Sequence, residues 1–305
     1  MTISEKLKII TRFAGLTQTE LAMKLDVSFP TLNSWINERS LPHESKQGKI
    51  DDLYLQYTGQ SVIPVDVLTA KKEIIFAKSK GYKNILDHIK SRPDLFDQFV
   101  LSLTYNTNSI EGSTLSENET AAVIFQNKSL PDKNVIEHLE AKNHQAALQY
   151  LFSAVNKKFQ IDEDFVLRLH EILMNGIRDD AGLYRNHGVR IVGANVPTAN
   201  YLKVPALMLD LIDEINSGNE DSLSQAVIIH SKFEKIHPFS DGNGRVGRLL
   251  MIAMLLVANL PPAVILQEKK FLYYTFLQKS QKEGDYSLLT DFVCDAILKG
   301  FDYIE

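Results

Sequence analysis

The chain has 305 residues, 44% of them hydrophobic, a net charge of −5 and one cysteine. That length and composition allow two domains with a sizeable core. The charge argues against a wholesale nucleic-acid or membrane-surface protein, and a lone cysteine excludes a disulfide within the chain. Cys294 lies in an apolar helical stretch and reads as a buried, inert thiol suited to a reducing cytosol. Met1 to Gly15 is charged and lacks the apolar core of a signal peptide. The longest apolar run, Leu249 to Ala258, is half the ~20 residues a membrane span needs. A cytoplasmic protein is expected.

In chain order, Thr17 and Glu20 have capping-box spacing, so Thr17 starts a helix with Leu21, Ala22 and Leu25 on its inner stripe. Asp26-Val27-Ser28 makes a turn, and Ser28 can cap a second helix, Phe29 to Glu38, with Pro30 in its first turn. Leu32, Trp35 and Ile36 are its expected core face. Two short helices joined in this way have helix-turn-helix geometry. Gln47 to Ala70 carries Gly48, Gly59 and Pro64 among acidic and β-branched residues and reads as a connection.

From Lys71 onward helical periodicity dominates. Phe99, Val100, Leu103 and Ile110 keep it through Phe96 to Glu111, and Gly112 can end the helix. Glu111 then sits in a last turn whose dipole disfavours negative charge, which suggests a partner elsewhere. Ser116 and Glu119 open another helix, and Val135 to Phe152 is amphipathic. Glu140 and His144 share a face there, but a metal site would need a third ligand, and ordinary polar positions are the simpler reading. His170 and His230 read as satisfied core or edge histidines. Gly188 to Val204 alone has strand character, with Gly193-Ala194-Asn195 as the turn of a short hairpin. Helices over Val204 to Ile215, Ser224 to Ile236, Lys270 to Lys282 and Ser287 to Phe301 complete the chain. Tyr273 and Tyr274 are equally readable as core aromatics or as walls of a nucleobase pocket.

The chemistry concentrates in His237-Pro238-Phe239-Ser240-Asp241-Gly242-Asn243-Gly244-Arg245-Val246-Gly247-Arg248. Pro238 bars helix, Gly242 and Gly244 permit a tight turn, and the apolar run that follows reads as a buried helix opened by Asn243 or Gly244. Glycines before a helix expose N–H groups at its positive end, a ready anion site. Arg245 and Arg248 share one face. Asp241 suits Mg²⁺, and His237 can take a proton near neutral pH. These are the parts for phosphoryl or nucleotidyl transfer.

The twelve residues match, position for position, the signature HPFx(D/E)GN(G/K)RxxR, and the chain resembles the Fic family across roughly residues 80–260. Thr107-Asn108-Ser109-Ile110-Glu111-Gly112 fits that family's inhibitory pattern (S/T)xxxE(G/N). The N-terminal stretch is similar to Xre/Cro-type DNA-binding domains, with the pattern LTQxELAxxLxVSxxTLxxW. The resemblance implies an all-α fold: an N-terminal helix-turn-helix domain over 1–58, a linker over 59–70 and a helical Fic domain over 71–305. Within the last it implies an inhibitory helix at about 96–112, a small β-hairpin flap at about 188–204 that registers a target segment, and the core motif 237–248.

The implied reaction is AMP transfer from ATP to a Ser, Thr or Tyr hydroxyl of a target protein. His237 would be the base and Asp241 the Mg²⁺ ligand. Gly242, Asn243 and Gly244 would cradle phosphates beside Arg245 and Arg248, and Glu111 on Arg248 would inhibit. Gln18, Ser28, Thr31, Asn33, Ser34 and Asn37 would meet DNA, although residues 1–50 carry only seven basic against five acidic side chains. Another donor, AMP removal, a nucleotide-sensing transcriptional regulator and a toxin–antitoxin component remain alternatives, and a homodimer stays open.

Overall fold

The computed structural model describes residues 2–58, 65–156, 158–190, 196–218 and 221–305. Fifteen α-helices and two short 3-10 turns occur among them, in two hydrophobic cores.

The smaller core is built by α1 (Ile3–Ala14), α2 (Gln18–Lys24), α3 (Phe29–Ile36) and α4 (Glu44–Thr58). Capping boxes at Thr2 and Thr17 and the Ser28 cap start the first three. Leu7, Leu21, Leu25, Leu32 and Trp35 meet Ile50 and Tyr54 of α4. The connection expected over Gln47 to Ala70 is therefore largely helical, in α4 and α5 (Val65–Ser79). The buried face of α4 outweighs its weak local pattern. Residues 59–64 lie outside the described set.

The larger core gathers around α13 (Asn243–Val257), whose residues from Arg245 to Leu256 are all buried. A helix apolar nearly all round must be wrapped. Around it pack α7 (Pro93–Glu111), α9 (Val135–Ala154), α10 (Glu163–Met174) and α12 (Ser222–Ile236). The short α6 (Ile85–Lys90) and α8 (Glu117–Gln126) flank α7, and α11 (Val204–Asn216) lies on α12. The bundle is closed by α14 (Lys270–Glu283) and by α15 (Ser287–Ile304), which packs on α5. No helix among the described residues is long and apolar enough to cross a membrane.

One expectation is corrected. No β-strand occurs among the described residues, and the flanks of the expected hairpin, 188–190 and 196–200, are irregular. The described flanks are tied by side chains instead: Val196 is buried, and Thr198 Oγ1 donates to Val189 O at 2.9 Å. Residues 191–195, the expected turn included, lie outside the described set.

Candidate active site

His237 ends α12 in the left-handed region, at φ 53° and ψ 61°, and its N–H closes the helix on Phe233 O. A non-glycine residue there costs on the order of 1 kcal/mol or more and needs surrounding support. Nδ1 lies 3.2 Å from Glu234 O. A carbonyl only accepts, so Nδ1 carries the proton and Nε2 keeps its lone pair. Burial shifts the imidazole below its ordinary pKa; the Glu234 bond opposes this, Arg185 adds to it, and Glu111 and Asp241 oppose it.

The loop between α12 and α13 is braced from three directions. The Asn243 amide accepts from Phe239 N at 2.8 Å and donates to Phe239 O at 2.9 Å, so its side chain secures the loop. Only its backbone N–H is left for an anion. His170 takes Gly182 N–H on Nδ1, donates Nε2–H to Asp241 O at 3.2 Å, and stacks on Phe239 with centroids 3.7 Å apart. Its pKa falls to about 4, chiefly through burial. Arg185 N donates to Pro238 O at 2.9 Å. Gly242 caps α13 at φ 75°, and a Cβ there would lie 2.6 Å from Met174 Cε. No side chain caps α13, so its first-turn N–H groups are free to receive an anion.

Both arginines are buried, at 3% and 5% exposure, and each hydrogen-bonds one carboxylate. Arg248 donates Nε to Thr107 Oγ1 at 2.6 Å and a terminal N–H to Glu111 Oε1 at 2.6 Å. Burial pulls its pKa down, but Glu111, Tyr273 and Tyr274 outweigh this and the net shift is upward. Arg245 donates to Glu140 Oε1 at 2.8 Å and lies 3.9 Å from Asp241 Oδ1. Glu111 Oε1 occupies the space that a Cβ at Gly244 would fill. The carboxylate disfavoured at the end of α7 thus lies over the positive end of α13, which rewards it.

Asp241 is 57% exposed, with Oδ1 accepting from Gly242 N at 2.6 Å. No group of three His, Cys, Asp or Glu residues that could hold a metal stands among the described residues. One carboxylate fits a hard cation carried mainly by a ligand's phosphates, rather than an all-protein cage.

His237, Asp241, Gly242, Asn243, Gly244, Arg245, Arg248 and Glu111 are all brought together here. Glu140 and His144, weighed as a metal pair, do other work: Glu140 holds Arg245, and His144 Nδ1 meets Thr104 Oγ1 at 2.9 Å. Tyr273 is fully buried behind Arg248, its hydroxyl 2.7 Å from His230 Nε2, and walls no open pocket. Sequence reasoning missed the contacts of Glu140 with Arg245 and of Arg185 with the His237 carbonyl, because no local pattern marks a contact across 50 or more residues. Away from this site, Asn33 Nδ2 donates to Gln18 Oε1 and Asn37 Nδ2 to Asn33 Oδ1. Ser28 pairs with Thr31, and Ser34 with Ser40. The six residues lie on α2, α3 and their flanking turns, with Ser28 and Asn37 exposed.

A histidine at one helix end, a glycine-opened helix start and two buried arginines thus meet in a site whose regular elements, among the described residues, are all helical. Residues 160–255 match the family model of the Fic/DOC family. It is 32% identical to "Protein adenylyltransferase Fic" of Drosophila willistoni over 65% of this chain and 40% of that protein. It is 33% identical to the protein of the same name from Nematostella vectensis over 59% and 43%. The chain thus spans about two fifths of the length of the curated relatives it matches. A Fic family protein from Desulfovibrio desulfuricans G20 is similar in structure, with TM-score 0.66 and 28% identity over 79% of this chain and 74% of that one. Fic-1 of C. elegans shares the fold at TM-score 0.61 and 22% identity, over 98% and 96%.

Proposed function

We propose that this chain is a protein adenylyltransferase, held inactive by Glu111. In the reaction, His237 Nε2 takes the proton of a target Ser, Thr or Tyr hydroxyl, and that oxygen bonds to the α-phosphorus of ATP. The bond from the α-phosphorus to the bridging oxygen breaks, and pyrophosphate leaves. First-turn N–H groups of α13 at Asn243 and Gly244 hold phosphate oxygens, with Gly242 allowing the close approach, and Arg245 and Arg248 neutralise the outer phosphates. Mg²⁺ entering with ATP would be held by Asp241 and would supply further charge neutralisation. Such catalysis is positioning and electrostatics rather than covalent chemistry by the protein.

The observation that carries this reading is the 2.6 Å Glu111–Arg248 contact over Gly244, a carboxylate standing where a phosphate would bind. The names of the relatives support the donor and the reaction. Purified wild type, Glu111→Gly and Glu111→Gly/His237→Ala, each given Mg²⁺ and ATP labelled at the α- or γ-phosphate, test it. Protein-bound label from the α-phosphate only, strongest in Glu111→Gly and absent from the double variant, is expected. No label from either position turns the reading to another donor, to AMP removal or to a nucleotide sensor.

A second reading concerns α2 and α3, which we read as a helix-turn-helix that tethers the enzyme to DNA. The polar network of Gln18, Asn33 and Asn37 favours it. Gel shift with DNA upstream of the chain's own gene tests it, with Asn33→Ala/Asn37→Ala as control. Equal affinity of both proteins for that DNA rejects the assigned face.

A further inference from the structure

Arg185 follows α10 in an irregular segment and is 3% exposed. The described hydrogen bonds of its guanidinium all go to backbone carbonyls. Nε donates to His237 O at 2.7 Å and one terminal nitrogen to His187 O at 2.8 Å. The other donates to Ala199 O at 2.5 Å and Ile236 O at 3.3 Å. Its own N–H reaches Pro238 O. A buried cation without a carboxylate is costly, and an apolar side chain would fill the same space more cheaply. What an apolar residue cannot do is bind the carbonyls on both sides of the His237 turn and both flanks of the segment that follows.

We propose that Arg185 is the positioning residue for His237: it pins the left-handed turn that aims the imidazole and ties that turn to the 187 and 199 flanks as one unit. The inference rests on the adenylyltransferase reading for its kinetic part only. Three features of the site join here. The turn is an unfavourable conformation for histidine, so it needs an external tie. The ring is fixed at Nδ1 by Glu234 O, so Nε2 points wherever the turn directs it. Finally, a base must be unprotonated to act, and a fixed positive neighbour opposes protonation.

The charged groups facing the ring are Arg185 against the imidazolium, and Glu111 of α7 and Asp241 of the loop in its favour. The Glu234 carboxyl, on the same helix, is pushed up to about 8, chiefly by burial, and is mostly neutral at pH 7.

Two variants in the full chain, Arg185→Lys and Arg185→Gln, each made with and without Glu111→Gly, separate geometry from charge. Histidine NMR titration, with His237 assigned from the His237→Ala spectrum, follows the ring directly. Lysine keeps the charge but cannot span the carbonyls. Transfer kcat should fall by roughly tenfold or more, as for a misplaced base, with the ATP KM and the His237 titration in place. Glutamine also removes the charge, so the imidazolium becomes less disfavoured. The His237 titration should move up by on the order of half a unit, carrying the acid limb of the rate profile with it. The proposal is overturned if Arg185→Lys keeps its kcat, if its ATP KM rises in step with the loss, or if the His237 titration is unmoved in folded Arg185→Gln. If Arg185→Gln does not fold, Arg185→Lys decides. The titration needs no transfer reaction, so a chain that transfers no AMP would sink the adenylyltransferase reading while Arg185 is still tested.

Discussion

Thr107 and Glu111 grip the same guanidinium, that of Arg248, each at 2.6 Å and from successive turns of α7. Their four-residue separation is the spacing that puts two side chains on one helix face. The threonine of the (S/T)xxxE pattern therefore orients the arginine that the glutamate neutralises.

Removing the carboxylate should free Arg248 for an anion. Glu111→Gly is expected to raise the initial rate of AMP transfer by at least roughly tenfold, equivalent to about 1.4 kcal/mol. Tyr274 stands near Glu111: burial raises its phenol pKa, and the Glu111 charge adds to that. Tyr274→Phe should raise the rate by less, measured in the same assay.

Glu140 is the corresponding partner of Arg245. Glu140→Ala leaves a buried guanidinium with only Asp241, 3.9 Å away, as a carboxylate neighbour and should lower stability by roughly 2–4 kcal/mol, read from urea unfolding. In the Glu111→Gly background it should also slow transfer, because Arg245 loses the contact that fixes its direction. Glu140→Gln retains an acceptor and should lose less on both counts.

At Gly242 the φ of 75° and the approach of Met174 Cε both exclude a side chain. Gly242→Ala should destabilise the fold by on the order of 1–2 kcal/mol and lower nucleotide affinity together. Adding Met174→Ala should relieve the clash but not the backbone strain, so calorimetry on the pair should show partial recovery at most.

Three buried histidines predict acid sensitivity. Burial depresses His144 to about 3, and His170 and His230 to about 4, so the unfolded chain binds more protons below pH 6.5. Their contribution is present above pH 6.5 and lost as pH falls towards 3. Glu234, raised to about 8, acts in the opposite direction: stability falls between about pH 4.5 and 8 as the unfolded chain releases its proton first. Denaturation midpoints across pH should show both slopes. Glu234→Gln should remove the alkaline one, and His144→Gln should flatten the acid one.

The sequence by itself determined most of the helix starts and which side chains the loop gathers. Capping boxes at Thr17 and Ser116, the Ser28 cap and Gly112 after Glu111 act within a few residues, and the structure places each as the local pattern requires. The run from His237 to Arg248 was legible for the same reason: its histidine, turn glycines and arginines lie within twelve consecutive residues. Tertiary structure decided the rest. It drew Gln47 to Thr58 into helix through burial of Ile50 and Tyr54, and left 188–190 and 196–200 irregular. It also chose the partners: Glu111 for Arg248 across 137 residues, Glu140 for Arg245 across 105, and Arg185 for the His237 carbonyl across 52. A buried charge takes whichever partner the packing of α7, α9, α12 and α13 brings within hydrogen-bond reach, and no spacing along the chain encodes that distance.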